Sequence, residues 1–464
     1  MSELNQFLTH FNTILYTYIL IALLLGCGLY FTIRTRFVQI RLLPESIRVL
    51  TEKRKNSAGV SSFQALMIST ASRVGTGNIA GVATALSLGG AGSIFWMWLS
   101  AFIGSASAFI ESTLAQIYKE SDGKEFRGGP AYYMQTALGR RWMGIIFSLL
   151  LILCFTIGFN ALQAYNVSSS LAYYIDDYEH SPFPALVGLI LAALTAFVIF
   201  GGVHRIGFIT SVVVPVMAIL YILLGVSITL LNLEQLPDIL HRIMKEAFDF
   251  SSITAGFTGS CVMYGIKRGL FSNEAGMGSA PNASAAAAVS HPAKQGLVQM
   301  LSVFIDTIVI CTTTAMILLN FDADDPQLTG MPYVQQALNA QIGEIGIHFI
   351  TISIFLFAFS SLIGNYCYAE SNLKFIKDDK TLLLIFRLFV LGIIYFGAQS
   401  GFDTVWNLAD ILMGLMSIVN IIAIFLLRNT AQKVLNDYIQ QKKNGENPVF
   451  HSEKLDIPRT KYWK

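Results

Sequence analysis

Arg73 and Asn78 stand beside glycines at 75, 77 and 81 in a run, Ser69 to Gly92, that is otherwise apolar. Glycine inside a helix costs about 1 kcal/mol relative to alanine, so this cluster predicts a helix that breaks. At membrane depth, broken backbone is tolerated only where it is buried in protein or lines a cavity. In secondary transporters such breaks bare amides and carbonyls that hold substrate and coupling ions. Small residues at a close helix crossing explain the glycines, but not the Arg and Asn next to them. A second group, Gly256, Phe257, Thr258 and Gly259, offers backbone access and one aromatic wall. A zwitterion needs donors for its carboxylate, which helix N-terminal amides supply, and acceptors for its ammonium, which unwound carbonyls supply. The competing reading of 256–259 is a tight helix crossing.

Other polar residues sit in apolar surroundings. Ser360 and Ser361, with the carbonyls of Ala71 and Val74, would make an oxygen cage for sodium, or the serines simply pack. Ile363 and Asn365 would line the same pocket, and Ser72 flanks the break. Arg73 is expensive in lipid and needs a partner or a role. It would contact a substrate carboxylate, pair with Asp306 or Glu274, or stand in for a bound cation. Glu111, Asp306 and Asp410 would carry protons, ligate a cation, or pair with neighbours. The Lys267-Arg268 and Asn273-Glu274 block reads as a cytoplasmic hinge or inner-gate network, and Trp96 and Trp98 as packing or interfacial anchors.

Membrane helices must position all of these. Of 464 residues, 54% are hydrophobic and 13% charged, against roughly 25% charged in a soluble domain. The chain is an all-α polytopic membrane protein. Eleven apolar segments are expected, at about 13–33, 63–89, 92–118, 142–172, 184–201, 206–231, 251–280, 295–319, 346–369, 381–399 and 404–427. The runs are too long for barrel strands. No basic stretch precedes the first run, so it reads as a retained span and not a signal peptide. The five cysteines are scattered without a CxxC pair, which predicts neither disulfides nor a metal site. No basic array suggests nucleic acid.

Arg34, Arg36, Arg41, Arg48, Lys53, Arg54 and Lys55 follow the first segment, and Lys119, Lys124, Arg127, Arg140 and Arg141 follow the third. Segments 174–182 and 321–345 carry no Lys or Arg. The positive-inside bias then predicts an outside N-terminus and a cytoplasmic C-terminus in a plasma (bacterial inner) membrane. The second and seventh segments are the interrupted ones. Being five apart, they enter the membrane in opposite directions, which predicts an inverted repeat with a midplane site. The expected division is 1–62, an extra N-terminal helix with its basic loop; 63–231, the first repeat; 232–250, an extracellular linker; 251–427, the second repeat; and 428–464, a cytoplasmic tail to which no fold is assigned.

The chain resembles the alanine or glycine:cation symporters. The matching blocks are Val74 to Ala83, Gly89 to Gly92 with Phe95 to Trp98, Arg127 to Tyr133, Gly269 to Ser279, Phe304 to Thr307 and Phe357 to Ser361. The resemblance implies a leucine-transporter-like fold of five plus five inverted helices with one extra, and uptake of a small amino acid driven by sodium or, less often, a proton. It places Gln163 against the substrate, where the alternative is an interhelical hydrogen bond. The family commonly has Trp where Asn365 stands, and an uncharged residue at Arg73. More distantly, Val74 to Asn78 is similar to the broken first helix of neurotransmitter:sodium symporters. That similarity gives the amides of Thr76 and Gly77 to the carboxylate and Asn78 to a cation.

The expected function is sodium-coupled symport of a small neutral amino acid such as alanine or glycine by alternating access, with no cofactor beyond the coupling ion. The same-class rival is a cation- or proton-coupled carrier of glutamine. A channel would need a short filter repeat, which the sequence lacks. A membrane enzyme would need a His cluster or a nucleophile–base motif, and neither is present. No oligomeric state follows from these features.

Overall fold

Long apolar runs, broken only where glycine and buried polar residues cluster, fold into long helices. The computed structural model describes residues 2–52, 59–123, 125–249, 260–321 and 328–463. Eight of the described helices are long and apolar enough to cross a membrane: Asn5–Arg34, Gly92–Ile117, Arg141–Tyr174, Arg205–Leu231, Pro292–Leu319, Glu344–Ile376, Lys380–Gly397 and Phe402–Leu426. Phe183–Ile199 is apolar but shorter. Two further stretches each consist of two short helices around a break. The first pairs Ser62–Arg73 with Ala80–Gly89. The second pairs Cys261–Asn273 with Ala280–Ala285.

The broken helices lie at the centre. Ser69 to Leu86 is buried almost without interruption, as is Cys261 to Ala285. Pro292–Leu319 is mostly buried beside them, whereas Lys380–Gly397 is mostly not and turns Ile385, Leu388 and Phe396 outward. Glycine sets how closely backbones approach: a Cβ on Gly364 would lie 2.8 Å from the Ser72 amide, the small-residue contact expected between helices in lipid.

The two broken helices run in opposite directions, as the spacing predicts. The start of the first meets the end of the second where Val60 pairs in parallel with Ala287. Their other ends meet where a Cβ on Gly89 would press on Tyr264. Ser61 and Gln64 start the first with a reciprocal capping box, and Ser260 caps the second through the Met263 amide. An antiparallel hairpin, β1 (Glu120–Asp122) and β2 (Glu125–Arg127), sits at the Val60 end.

One expectation changes here, and the tail, to which the sequence assigns no fold, takes one. Lys267 and Arg268 do not lie with the basic loops. They follow the start of the second broken helix by about two turns, near the Gly89 end, and pair with Asp410. The tail is folded: Arg428–Lys443 is a helix with Tyr438 buried, and Phe450 and Trp463 return into the protein beyond it. Aromatic side chains far apart in sequence supply its core.

Candidate substrate and ion site

The first break is built by Asn78. Val74 leaves the helix at φ −76°, ψ 88°, and Gly75 is extended at φ −139°, ψ −152°. Thr76–Asn78 form one 3₁₀ turn, closed by the Gly75 amide donating to Asn78 Oδ1 at 3.0 Å. The Thr76 amide donates to Gln163 Oε1 at 3.1 Å, and Asn166 Nδ2 donates to Thr76 Oγ1 at 3.2 Å. A Cβ on Gly75 would run into Ser361 Oγ and the Gln163 amide. A Cβ on Gly77 would lie 2.6 Å from the Phe271 ring. That ring packs on Phe159 at 4.6 Å and on Trp406 at 5.3 Å between centroids. Gly75, Thr76, Gly77, Gln163 and Ser361 therefore come together under an aromatic cover.

The second break, within the described residues, is Glu274 to Ser279. Glu274 adopts φ 54°, and Gly276 and Gly278 adopt φ 81° and 90°, conformations that glycine takes without steric cost. Glu111 Oε1 accepts from the Gly276 amide at 3.3 Å, and Asn420 Nδ2 donates to both Glu111 Oε2 and the Gly276 carbonyl. Glu111 is thus a prop for the break. The carboxylate of Glu274 reaches the first helix: Ser72 Oγ lies 3.0 Å from its Oε1 and 2.8 Å from Asn365 Oδ1. Asn365 Nδ2 in turn donates to Asn160 Oδ1 at 3.0 Å. Expected as part of a cytoplasmic hinge or inner-gate network, Glu274 joins the two breaks, where Ser72 and Ser279 satisfy its carboxylate.

Beside Asn78 lies an oxygen-rich knot. Asn78 Nδ2 donates to Asp306 Oδ1 at 2.7 Å. Ser272 Oγ and Thr307 Oγ1 donate to Asp306 Oδ2 at 2.6 and 3.0 Å. Thr314 Oγ1 donates to the Asn78 carbonyl at 2.6 Å. Asp306 sits in a π-helical stretch, Phe304–Cys311, of the kind that re-aims side chains at functional sites. All of these groups are buried. One carboxylate with hydroxyl and carbonyl oxygens offers the donors a hard cation takes, and Cys311 Sγ, 3.3 Å from Asn78 Nδ2 and 3.1 Å from Ser272 Oγ, adds a soft atom beside them.

The remaining expected residues are spread around this centre. Ser361 Oγ approaches the Val74 carbonyl at 3.4 Å, while Ser360 Oγ turns to Phe357 O and Met217 Sδ. Ala71 packs against Gly364. Ile363 is buried one turn or less from Ser361 and Asn365. Residues 256–259 lie outside the described residues. Arg73 is 2% exposed, with Nη1 3.3 Å from Gln299 Oε1. Among the described residues no carboxylate is within ion-pair distance of it, and its Nε and Nη2 have no hydrogen-bond partner.

The sodium:alanine symporter family description matches residues 1–452. The chain belongs to that family. It is a multi-pass membrane transporter and not an enzyme. It is 48% identical over 435 residues to the amino-acid carrier protein AlsT of Bacillus subtilis, covering 93% of this chain and 92% of that protein. It is 49% identical over 461 residues to the probable sodium/glutamine symporter GlnT of the same organism, covering 97% and 95%. To the sodium/alanine symporter AgcS of Methanococcus maripaludis it is 37% identical over 440 residues, covering 92% and 95%. A solved manganese transporter from Eremococcus coleocola shares the fold, with TM-score 0.53 at 12% identity, over 85% of this chain and 89% of that one.

Sequence reading of this symporter does not bring forward Phe271, Ser272, Thr314, Asn166 or Trp406 as parts of the site. A signal exists for the first two: they adjoin the Asn273–Ser279 glycine cluster. Thr314 carries no such mark, since a lone threonine in an apolar run reads as packing. Thr314→Val is expected to strand the Asn78 carbonyl and cost about 1 kcal/mol. Sodium titration of uptake should show roughly fivefold weaker activation, with little change in yield.

Proposed function

We propose that this chain is a sodium-coupled symporter that takes up a small neutral amino acid, such as alanine or glycine, by alternating access. The observation that carries this reading is the Asn78 side chain. It closes the Gly75 turn with one atom and touches Asp306 with the other. The substrate carboxylate would take the amides of Thr76 and Gly77, displacing Gln163 Oε1, with Phe271 as the apolar wall. Sodium would be held by Asp306 and the main-chain carbonyl of Asn78, and a second cation place would use the carbonyls of Ala71 and Val74 with Ser361.

On this reading the eight long helices, Phe183–Ile199 and the two broken helices make eleven crossings. They form a five-plus-five inverted repeat, 63–231 and 251–427, behind an extra first helix. The opposed broken helices and the fold likeness support that arrangement. The basic loops support an N-terminus outside and a C-terminus in the cytoplasm. A second reading, glutamine as substrate, is favoured by one feature: Asn365 and Asn160 present an amide pair beside Ser72, able to meet a polar side chain.

Purified protein in proteoliposomes, given a radiolabelled amino-acid panel with sodium or choline outside, tests both. Alanine or glycine accumulation that falls more than about tenfold in choline is expected. Equal uptake in choline would remove sodium coupling, and preference for glutamine over alanine would select the second reading.

A further inference from the structure

A cavity of about 80 Å³ lies between Ile68 of the first broken helix, Asn282 of the second, and Tyr368 and Glu370 of Glu344–Ile376. It is on the Val60 side of both breaks. Tyr368 is 1% exposed, and its hydroxyl has no hydrogen-bond partner among the described residues. Strand β2, Glu125–Arg127, forms part of its wall.

Two separate sets of contacts hold the strand there. In front, Arg127 Nη1 pairs at 2.8 Å with Asp378 Oδ2, in the turn between Glu344–Ile376 and Lys380–Gly397, while Nη2 pairs with Asp122. Behind, Lys119 is buried, donating to the Ala287 carbonyl at 2.9 Å. Its ammonium lies 4.1 Å from the Phe126 ring centroid, 4.6 Å from that of Tyr462 and 5.1 Å from that of Trp463. Burial pushes this amine down to about 7, and ring faces at this distance act the other way, favouring the charged form. The Trp463 indole donates to the Gln116 carbonyl at 2.7 Å, and Lys461 pairs with Glu120 at 2.7 Å. The last residues of the chain and the lid strand thus share one cation and one ring, Phe126.

We propose that this cavity is the inner chamber through which the amino acid leaves, with Glu125–Arg127 as its lid, latched by Arg127–Asp378 and clamped from behind by Tyr462 and Trp463. The proposal rests on the transport reading above. The chamber suits a zwitterion: Lys374, paired with Glu370 at 2.6 Å in its wall, and the unpartnered Tyr368 hydroxyl offer donors, and Glu370 offers an acceptor. Release requires the latch to part while the clamp sets how readily it does so.

Cys367 lines the cavity, and the four other cysteines are buried. The test is the labelling rate of Cys367 by a membrane-impermeant maleimide in inside-out vesicles, in full-length protein with the other cysteines replaced by alanine. Arg127→Ala or Asp378→Ala should speed labelling about threefold, the size set by a partly exposed pair. Trp463→Ala should speed it roughly tenfold, through loss of one ring of the Lys119 cage and of the indole hydrogen bond to Gln116. The charge exchange Arg127→Asp with Asp378→Arg should restore the slow rate, which misfolded protein would not do. Unchanged labelling in all three single variants, or labelling only in right-side-out vesicles, overturns the lid. The readout does not depend on the substrate. A silent uptake panel with responsive labelling would therefore remove the transport reading and keep the lid, and sodium-driven uptake with unresponsive labelling would remove the lid alone.

Discussion

Gly75→Ala is expected to abolish uptake, by on the order of a hundredfold, while the protein remains folded. The reason is room, since Gly75 is extended and any residue adopts that conformation. Its missing side chain is where Ser361 Oγ and the Gln163 amide converge, the latter 2.9 Å from the point an alanine methyl would occupy. Overpacking a filled centre costs about 1–3 kcal/mol. The methyl would also occupy the approach to the Thr76 amide, the donor assigned to the carboxylate, and losing a charge-assisted hydrogen bond costs about 1.5–3 kcal/mol more. Gly81→Ala is the internal control. Its Cβ would rest 3.6 Å from Trp406, an ordinary contact, and alanine gains about 1 kcal/mol over glycine within Ala80–Gly89. Initial uptake rates and thermal unfolding in detergent should show Gly75→Ala inactive and Gly81→Ala active with equal or higher stability. Comparable activity of the two would mean that the Gly75 break does not receive the substrate.

The glycines around the first break show what a sequence reveals. That break is legible because Gly75, Gly77 and Asn78 interrupt an apolar run, and a turn satisfies all three. The second break is harder to place. Residues 256–259 have the same glycine-rich look, whereas Glu274 in the left-handed region looks like a surface charge. The meeting of Glu274 with Ser72, 202 positions away, and with Ser279 makes a carboxylate tolerable at that depth. Asp306 is visible as an acid in an apolar run. Its aim is not, because a π-helical stretch shifts side chains off the 3.6-residue period by which faces are read. Arg73 illustrates the opposite case. Its expense in lipid is plain, but Gln299, which answers part of it, is a neutral amide on a distant helix. The tail's polarity hides its fold: Tyr438, Phe450, Tyr462 and Trp463 are too far apart to look like a core until the chain folds back.

Asp306→Asn is expected to weaken sodium activation by roughly tenfold to a hundredfold and to weaken substrate affinity with it. The carboxylate accepts from Asn78, Ser272 and Thr307. An amide keeps the shape, and the two hydroxyls can turn to accept from it, so the fold should persist. What is lost is the negative charge, and hydrogen bonds to a charged group contribute about 1.5–3 kcal/mol. The loss should also travel, because Asn78 is held by Asp306 through Nδ2 and holds the Gly75 amide through Oδ1. A cation held between Asp306 and the Asn78 carbonyl would fix Asn78 in place, which steadies the turn that presents the Thr76 amide. Linkage is reciprocal, so each ligand raises the affinity for the other by the same factor. The decisive measurement is substrate affinity across a sodium series in wild type and Asp306→Asn. Wild-type affinity should climb with sodium, and the variant should be weak and nearly flat. A variant with weakened sodium activation but the wild-type slope of affinity against sodium would break the link drawn through Asn78, leaving Asp306 a cation ligand with no hand in shaping the substrate site.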